Sequence, residues 1–137
     1  MTRSAGLALL LLAAGPAACG SSSPTKPETF DVGEEFTLAP GASGAARDGS
    51  FEVTFVGVTE DSRCPSDAQC IWAGEVKLKL ALKAGSNEVP EREVKETEST
   101  TLAGRKLTVV RVLPYPVSTR RIAPEDYRAT FRVAAIP

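Results

Sequence analysis

The sequence contains no histidine. Histidine is the usual general base near neutral pH and the commonest metal ligand, so a Ser-His-Asp or Cys-His catalytic site cannot be built from these residues. A calcium site would need Glu60, Asp61 and Asp67 to converge, and their spacing matches no known calcium loop. We therefore predict no metal, no cofactor and no enzymatic activity.

The sequence also lacks an excess of charge of either sign. Its formal net charge is -1 over 137 residues, and a nearly neutral chain has no overall field that attracts nucleic acid. Several arginines occur toward the C-terminus, but scattered arginines are ordinary on a solvated sheet. We expect no nucleic-acid partner. The basic residues considered for such a face are Arg105, Lys106, Arg111, Arg120 and Arg121.

The N-terminal residues have the pattern of a secretory signal. Arg3 is followed by the apolar run Gly6–Ala14 and by the small residues Ala17 and Ala18. A permanent transmembrane helix needs about 20 apolar residues, so this shorter run favours a cleaved signal peptide over residues 1–18.

The stretch GPAACG, which contains Ala17, Ala18 and Cys19, resembles the lipobox of bacterial lipoproteins, although Pro16 stands where that family usually has leucine. The resemblance implies that Cys19 becomes the acylated N-terminus and anchors the protein in a lipid bilayer. Gly20 is not the acidic residue that retains such lipoproteins at the inner membrane. The resemblance therefore implies export to the cell envelope and residence at the outer membrane.

The segment after Cys19 is rich in serine, proline and threonine and has no apolar face. Such a segment cannot offset the entropy lost on ordering. We predict a flexible tether over residues 19–29 and one folded domain over residues 30–137.

The domain has the alternating pattern of β-strands. Apolar residues occupy every second position in Val76–Leu82 and again in Tyr127–Val133, where Thr130 falls on the outward face. Two runs change phase, at residues 51–58 and 107–112, which indicates a β-bulge or burial on both faces. Residues 88–101 are crowded with charge and suit an exposed edge strand.

The remaining patterns complete the fold prediction. Turn-forming residues at 40–44 separate two strands, and residues 123–126 suit a single helical turn before the last strand. Tyr127 resembles the tyrosine corner of Greek-key sandwiches, in which the hydroxyl ties a loop to the sheet. Short strands with regular turns predict an all-β fold, a small Ig-like antiparallel β-sandwich, with a small β-barrel as the alternative.

Cys64 and Cys70 enclose a five-residue loop with a turn-forming composition. In an exported protein this spacing favours a structural disulfide, because redox-active pairs are usually two residues apart at the start of a helix. So small a ring contributes about 2 kcal/mol. We expect Trp72 to pack against the loop or the end of the sandwich, and Gly74 to let the chain bend into the next strand.

The residues Arg63-Cys64-Pro65 followed by Cys70-Ile71-Trp72-Ala73-Gly74 resemble a motif found in a group of small, uncharacterised bacterial secreted proteins and lipoproteins. The resemblance implies membership of that group and no particular activity.

The cysteine loop is the candidate binding surface, with Arg63, Asp67, Gln69 and Trp72 as its candidate contact residues. The favoured function is a non-enzymatic binding or structural module that engages an envelope protein or a glycan. One alternative is a protease inhibitor that presents Arg63 beside Cys64-Pro65 as a preorganised segment. Another is a hydrolase in which two carboxylates meet in space.

Overall fold

The computed structural model describes Gly15 and residues 26–137. The predicted signal peptide, Cys19 and most of the predicted tether lie outside the described residues. The strands are β1 (Glu28–Phe30), β2 (Glu35–Leu38), β3 (Ser43–Ala46), β4 (Glu52–Asp61), β5 (Val76–Ala84), β6 (Asn87–Lys95), β7 (Ser99–Leu102), β8 (Arg105–Leu113) and β9 (Arg128–Ala135). Over the described residues no helix has the length and apolar character needed to cross a membrane.

The strands form two sheets, with the orders β1-β3-β4-β5-β6 and β2-β9-β8-β7. The two sheets face each other and do not close into a barrel, so the predicted small Ig-like sandwich is confirmed and the barrel alternative is wrong. All strand pairs are antiparallel except β1 with β3. This parallel pair arises because β2 lies in the opposite sheet, so the chain crosses the sandwich twice between β1 and β3.

The core lies between the sheets and is built by the alternation read from the sequence. The four apolar residues of Val76–Leu82 are at most 1% exposed, and burial of each such side chain stabilises the fold by about 1.5–3 kcal/mol. Aromatic rings fill one region of the core: Phe30 stacks on Phe36 with centroids 3.9 Å apart, and Phe131 packs beside Phe36 at 5.8 Å.

Both predicted bulges are present. The pairing of β4 with β5 shifts between Phe55 and Gly57, and the pairing of β8 with β9 shifts between Val109 and Arg111. Each extra residue turns the following side chains to the opposite face. Val56 at the first bulge is consequently 44% exposed.

Two details of the strand predictions are wrong. Thr130, predicted to face outward, is only 4% exposed. It lies on an inner strand, between β2 and β8, and its hydroxyl is hydrogen-bonded to the hydroxyl of Thr37 on β2 at 2.9 Å. Ser43 and Gly44, read as the end of a turn, belong to β3 together with Ala45 and Ala46. Their small side chains carry little apolar signal, and Gly44 is needed because a Cβ there would lie 2.9 Å from the Phe36 ring.

The predictions of an exposed edge strand at residues 88–101 and of a helical turn at residues 123–126 are confirmed. β6 and β7 lie at the edges of their sheets, and Pro124–Asp126 forms a single 3₁₀ turn before β9. β1 begins at Glu28, so the first strand starts within the predicted tether, two residues before Phe30.

Candidate functional site

One end of the sandwich carries the cysteine loop. β4 and β8 end there, β5 and β9 begin there, and residues 62–75 and 114–127 cover it; we call this the cysteine-loop end. Two backbone hydrogen bonds continue the β4–β5 ribbon into the loop, from Ser62 N to Glu75 O at 2.8 Å and from Cys64 N to Ala73 O at 3.0 Å. Beyond them Cys64 and Cys70 are at disulfide distance, as predicted, with Cα atoms 5.9 Å apart.

Arg63 is the internal anchor of this end. Its side chain is only 3% exposed, and its guanidinium donates to both carboxylate oxygens of Asp61, at 2.8 and 2.6 Å. It also donates to the backbone carbonyls of Val112 at 2.7 Å and Pro114 at 3.1 Å. A buried guanidinium is stable only when its donors find partners, so Arg63 fastens the end of β4 to the end of β8 in the opposite sheet.

Two tyrosines complete what we call the Arg63 cluster, which consists of Asp61, Arg63, Tyr115 and Tyr127. The Tyr127 hydroxyl donates to Asp61 Oδ2 at 3.0 Å. The Arg63 guanidinium carbon lies 4.8 Å from the centroid of the Tyr115 ring, in a cation–π arrangement. Tyr127 therefore ties the segment before β9 to β4, in the manner of a tyrosine corner but through a carboxylate.

The charges of the cluster are mutually stabilised. Burial alone would raise the pKa of the Asp61 carboxyl, but the hydrogen bonds and charge of Arg63, helped by the Tyr127 hydroxyl, hold this pKa below its usual value. Burial alone would lower the pKa of the Arg63 guanidinium as well, but the hydrogen bonds to Asp61 and the charge of Asp61 outweigh burial, so the pKa of Arg63 is raised. Burial and the hydrogen bond to Asp61 raise the pKa of Tyr127 to about 12.

Gly74 permits the tight return of the loop. Its φ is +68°, a left-handed conformation that side chains disfavour. A Cβ at this position would also collide with the backbone carbonyl of Ser62. The predicted role of Gly74 in bending the chain toward β5 is confirmed, and the close approach of the two backbones is the physical reason.

A second set of contacts fixes the tip of the cysteine loop against the loop after β8. Asp67 accepts hydrogen bonds from the Ser118 backbone N–H at 2.8 Å and from its hydroxyl at 2.6 Å. These bonds lower the pKa of the Asp67 carboxyl. The Ser66 N–H donates to the Pro116 carbonyl at 2.9 Å. The loop is thus fastened at its base by Arg63 and at its tip by Asp67.

The four predicted contact residues have different surroundings. Arg63 is buried in the cluster and Asp67 is engaged by Ser118, whereas Gln69 and Trp72 are exposed. The expected packing of Trp72 is wrong, because its side chain is 83% exposed. The aromatic ring that lies against the Arg63 guanidinium is that of Tyr115 and not that of Trp72.

Exposed apolar side chains concentrate at the cysteine-loop end. Ile71 is 94% exposed, Leu113 at the end of β8 is 46% exposed, and Tyr115 on the following loop is 52% exposed. In the part of the chain that the structure describes, six large apolar side chains are exposed, and the two outside this end are Val56 at a bulge and Ile136 near the opposite end. The other four, Ile71, Trp72, Leu113 and Tyr115, give the cysteine-loop end an apolar surface of the kind found at binding sites.

A depression of about 670 Å³ lies beside this apolar surface. Arg120, Arg121 and Arg128 line it with the apolar residues Leu113 and Tyr115, and we call it the arginine pocket. One carboxylate, that of Asp126, also lines it. Among residues 26–137, neither Arg120 nor Arg121 has a carboxylate within 4.0 Å.

The basic residues noted in the sequence do not share one face. Arg105 and Lys106 begin β8 at the opposite end of the domain, where Arg105 pairs with Asp48 at 3.3 Å. Arg120 and Arg121 lie in the loop after β8. The described residues contain no group of three or more acidic or cysteine side chains placed to hold a metal ion.

Sequence reasoning missed Ile71, Leu113 and Tyr115 as surface residues of this end. Leu113 ends a strand whose other apolar residues are mostly buried, so its exposure depends on where the β8–β9 ribbon stops. Comparison of the chain with models of protein families, with curated proteins and with solved structures finds no match.

Proposed function

We propose that this protein is a lipid-anchored module of the bacterial cell envelope that acts without catalysis, by binding a partner through its cysteine-loop end. The observation that carries the proposal is the exposure of Ile71 and Trp72, at 94% and 83%, on a loop that a disulfide and several hydrogen bonds hold in place. A rigid loop loses little conformational entropy when it binds, and tryptophan is among the residues that dominate binding energy at interfaces.

The lipobox-like residues before Cys19 support the anchor, and the motif from Arg63 to Gly74 supports membership of the secreted and lipoprotein group named above. An acyl chain at Cys19 would leave the folded domain on a short tether, with the outer membrane as its proposed location. The cysteine-loop end would then be available to components of the envelope.

The geometry gives less support to the two alternatives. A substrate-like inhibitor needs an accessible side chain beside its scissile bond, whereas the Arg63 side chain is 3% exposed and makes four hydrogen bonds inside the domain. A carboxylate hydrolase needs an acid held with a raised pKa. The most enclosed carboxylate of the cysteine-loop end, Asp61, is paired with Arg63 and has a lowered pKa.

The binding surface is tested by photo-cross-linking in intact cells. A photoreactive amino acid replaces Ile71 in one variant and Ile136, an exposed isoleucine near the other end, in a control. We expect an envelope adduct from position 71 and none from position 136. Equal labelling from both positions, or no adduct from position 71, would contradict the proposal.

A further inference from the structure

The arginine pocket suggests what kind of partner the cysteine-loop end binds. Its walls combine three guanidinium groups with the exposed Leu113 and Tyr115. Guanidinium groups without carboxylate partners favour an anionic group, and the apolar walls favour a ligand with an apolar portion beside that group. Asp126 alone does not neutralise three arginines.

The position of the pocket connects it with the exposed side chains of Ile71 and Trp72. Leu113 and Tyr115 line the pocket and flank Pro114, whose carbonyl accepts a hydrogen bond from Arg63 at 3.1 Å. The same Arg63 fixes the base of the loop that carries Ile71 and Trp72. A single partner can therefore contact the tip and the pocket without rearrangement of either loop.

The length of the tether argues against the bilayer as the occupant of this end. Glu28 pairs with Gly44 and Gly44 pairs with Val53, so β1 begins level with Val53. From Val53 to Asp61 the strand β4 extends about 26 Å at the usual rise per residue, and Trp72 lies beyond it. The nine residue steps from Cys19 to Glu28 span at most about 32 Å when fully extended. β1 runs away from the cysteine-loop end, so the chain enters β1 from that side, but Trp72 would still reach the membrane only if the tether were almost fully extended.

Resting on the proposed function, we infer that the partner is a protein segment in which an acidic side chain lies next to apolar side chains. The carboxylate enters the arginine pocket between Arg120 and Arg121, and the apolar side chains pack on Tyr115, Leu113 and the Ile71–Trp72 tip. Tryptophan, tyrosine and arginine are the residue types most enriched at the energetic centres of protein interfaces, and this end presents all three.

The test uses the full-length protein purified from membranes in detergent, with NMR titration of a defined probe. The probe is a blocked tetrapeptide of alternating glutamate and leucine, and its match has glutamine in place of glutamate. We expect the glutamate peptide to shift resonances of residues 113–128 and the Trp72 indole, with an affinity that falls as salt is added. The glutamine peptide should bind at least about ten-fold more weakly, as loss of a charge-assisted hydrogen bond implies.

Two matched variants separate the pocket from overall charge. Arg120→Gln with Arg121→Gln removes two positive charges from the pocket, and Lys83→Gln with Lys106→Gln removes two from exposed positions at the other end. The first pair should abolish the shifts, and the second should leave them unchanged. Equal binding of both peptides, equal effects of both variant pairs, or no binding of the glutamate peptide would overturn the inference.

Two further probes distinguish failure of the inference from failure of the proposed function. Phosphatidylglycerol, added as mixed micelles in the same detergent, and a chitin tetrasaccharide are titrated under the same conditions. Shifts at the cysteine-loop end with either of these, and none with the glutamate peptide, would reject the acidic protein partner and retain the binding end. A cross-linked adduct at position 71 that proves to be lipid or glycan would lead to the same conclusion.

Discussion

At the scale of single residues, Arg63 has the largest structural effect at the cysteine-loop end. It joins a carboxylate two residues away to the carbonyls of Val112 in β8 and Pro114 just after it, and the sequence gives little sign of this. An arginine beside a cysteine in a polar loop suggests an exposed contact residue, because arginine is rarely buried unless every donor finds a partner. Those partners, Val112 and Pro114, are distant in the sequence and meet Arg63 only in the fold.

Replacement of Arg63 by methionine should destabilise the domain by about 3–5 kcal/mol, since it leaves the Asp61 carboxylate and two carbonyls buried without their donor. Urea unfolding measures the change. The control is Arg47→Met, which removes an exposed pair with Asp31 and should cost less than about 1 kcal/mol. Similar losses in the two variants would mean that the Arg63 cluster does not hold the sheets together.

The lowered pKa of Asp61 predicts a loss of stability in acid. Because the folded-state pKa lies below the unfolded value, the contribution of this carboxylate is present above pH about 4 and is lost as the pH falls through the folded-state pKa. In Asp61→Asn this contribution is absent at every pH. The difference in free energy of unfolding between the protein and the variant should therefore narrow below pH about 4, and a constant difference down to pH 2 would contradict the shift.

Tyr127 predicts the opposite trend in alkali. Its pKa of about 12 in the folded protein exceeds the ordinary value of about 10, so its contribution is present below pH 10 and is lost as the pH rises through 12. The sequence has two tyrosines, and Tyr115→Phe leaves Tyr127 as the only phenol. Its ultraviolet titration should then have a midpoint near 12. A midpoint near 10 would contradict both the burial of the phenol and its hydrogen bond to Asp61.

At the scale of the elements, regular alternation made most strands predictable. The long strands β4, β5, β8 and β9 bury every second residue on at least part of their length, and even the two bulges appear in the sequence as changes of phase. The short strands β1 and β3 were not predictable in the same way. Their three and four residues are too few to show a period. Their pairing with each other, and that of β3 with β4, forms only in the fold.

The disulfide belongs to this scale because it supports the loop more than the fold. The double replacement Cys64→Ser with Cys70→Ser should cost about 2 kcal/mol and lower the melting temperature by several degrees without unfolding the domain. The Arg63 and Asp67 contacts remain to hold the loop. Thermal unfolding followed by circular dichroism measures the effect, and complete loss of folded protein would show that the ring is needed for folding.

At the scale of the whole molecule, the sandwich is a scaffold with two different ends. Among residues 26–137, the end with Ile136 carries one large exposed apolar residue, and the cysteine-loop end carries Ile71, Trp72, Leu113 and Tyr115. The sequence located the loop and the disulfide but not this asymmetry, because exposure depends on which residues the folded loops leave uncovered. Trp72 illustrates the difficulty, since a lone tryptophan next to a core strand is an ordinary core residue in sequence terms.

The proposed function depends above all on an acyl anchor at Cys19 that holds this asymmetric domain at the membrane. The anchor is tested by intact-mass spectrometry of the protein extracted from bacterial membranes. We expect a mature chain that begins at Cys19 and is heavier than its polypeptide by the mass of its acyl chains. A chain that begins elsewhere, or one that begins at Cys19 with no added lipid, would contradict it.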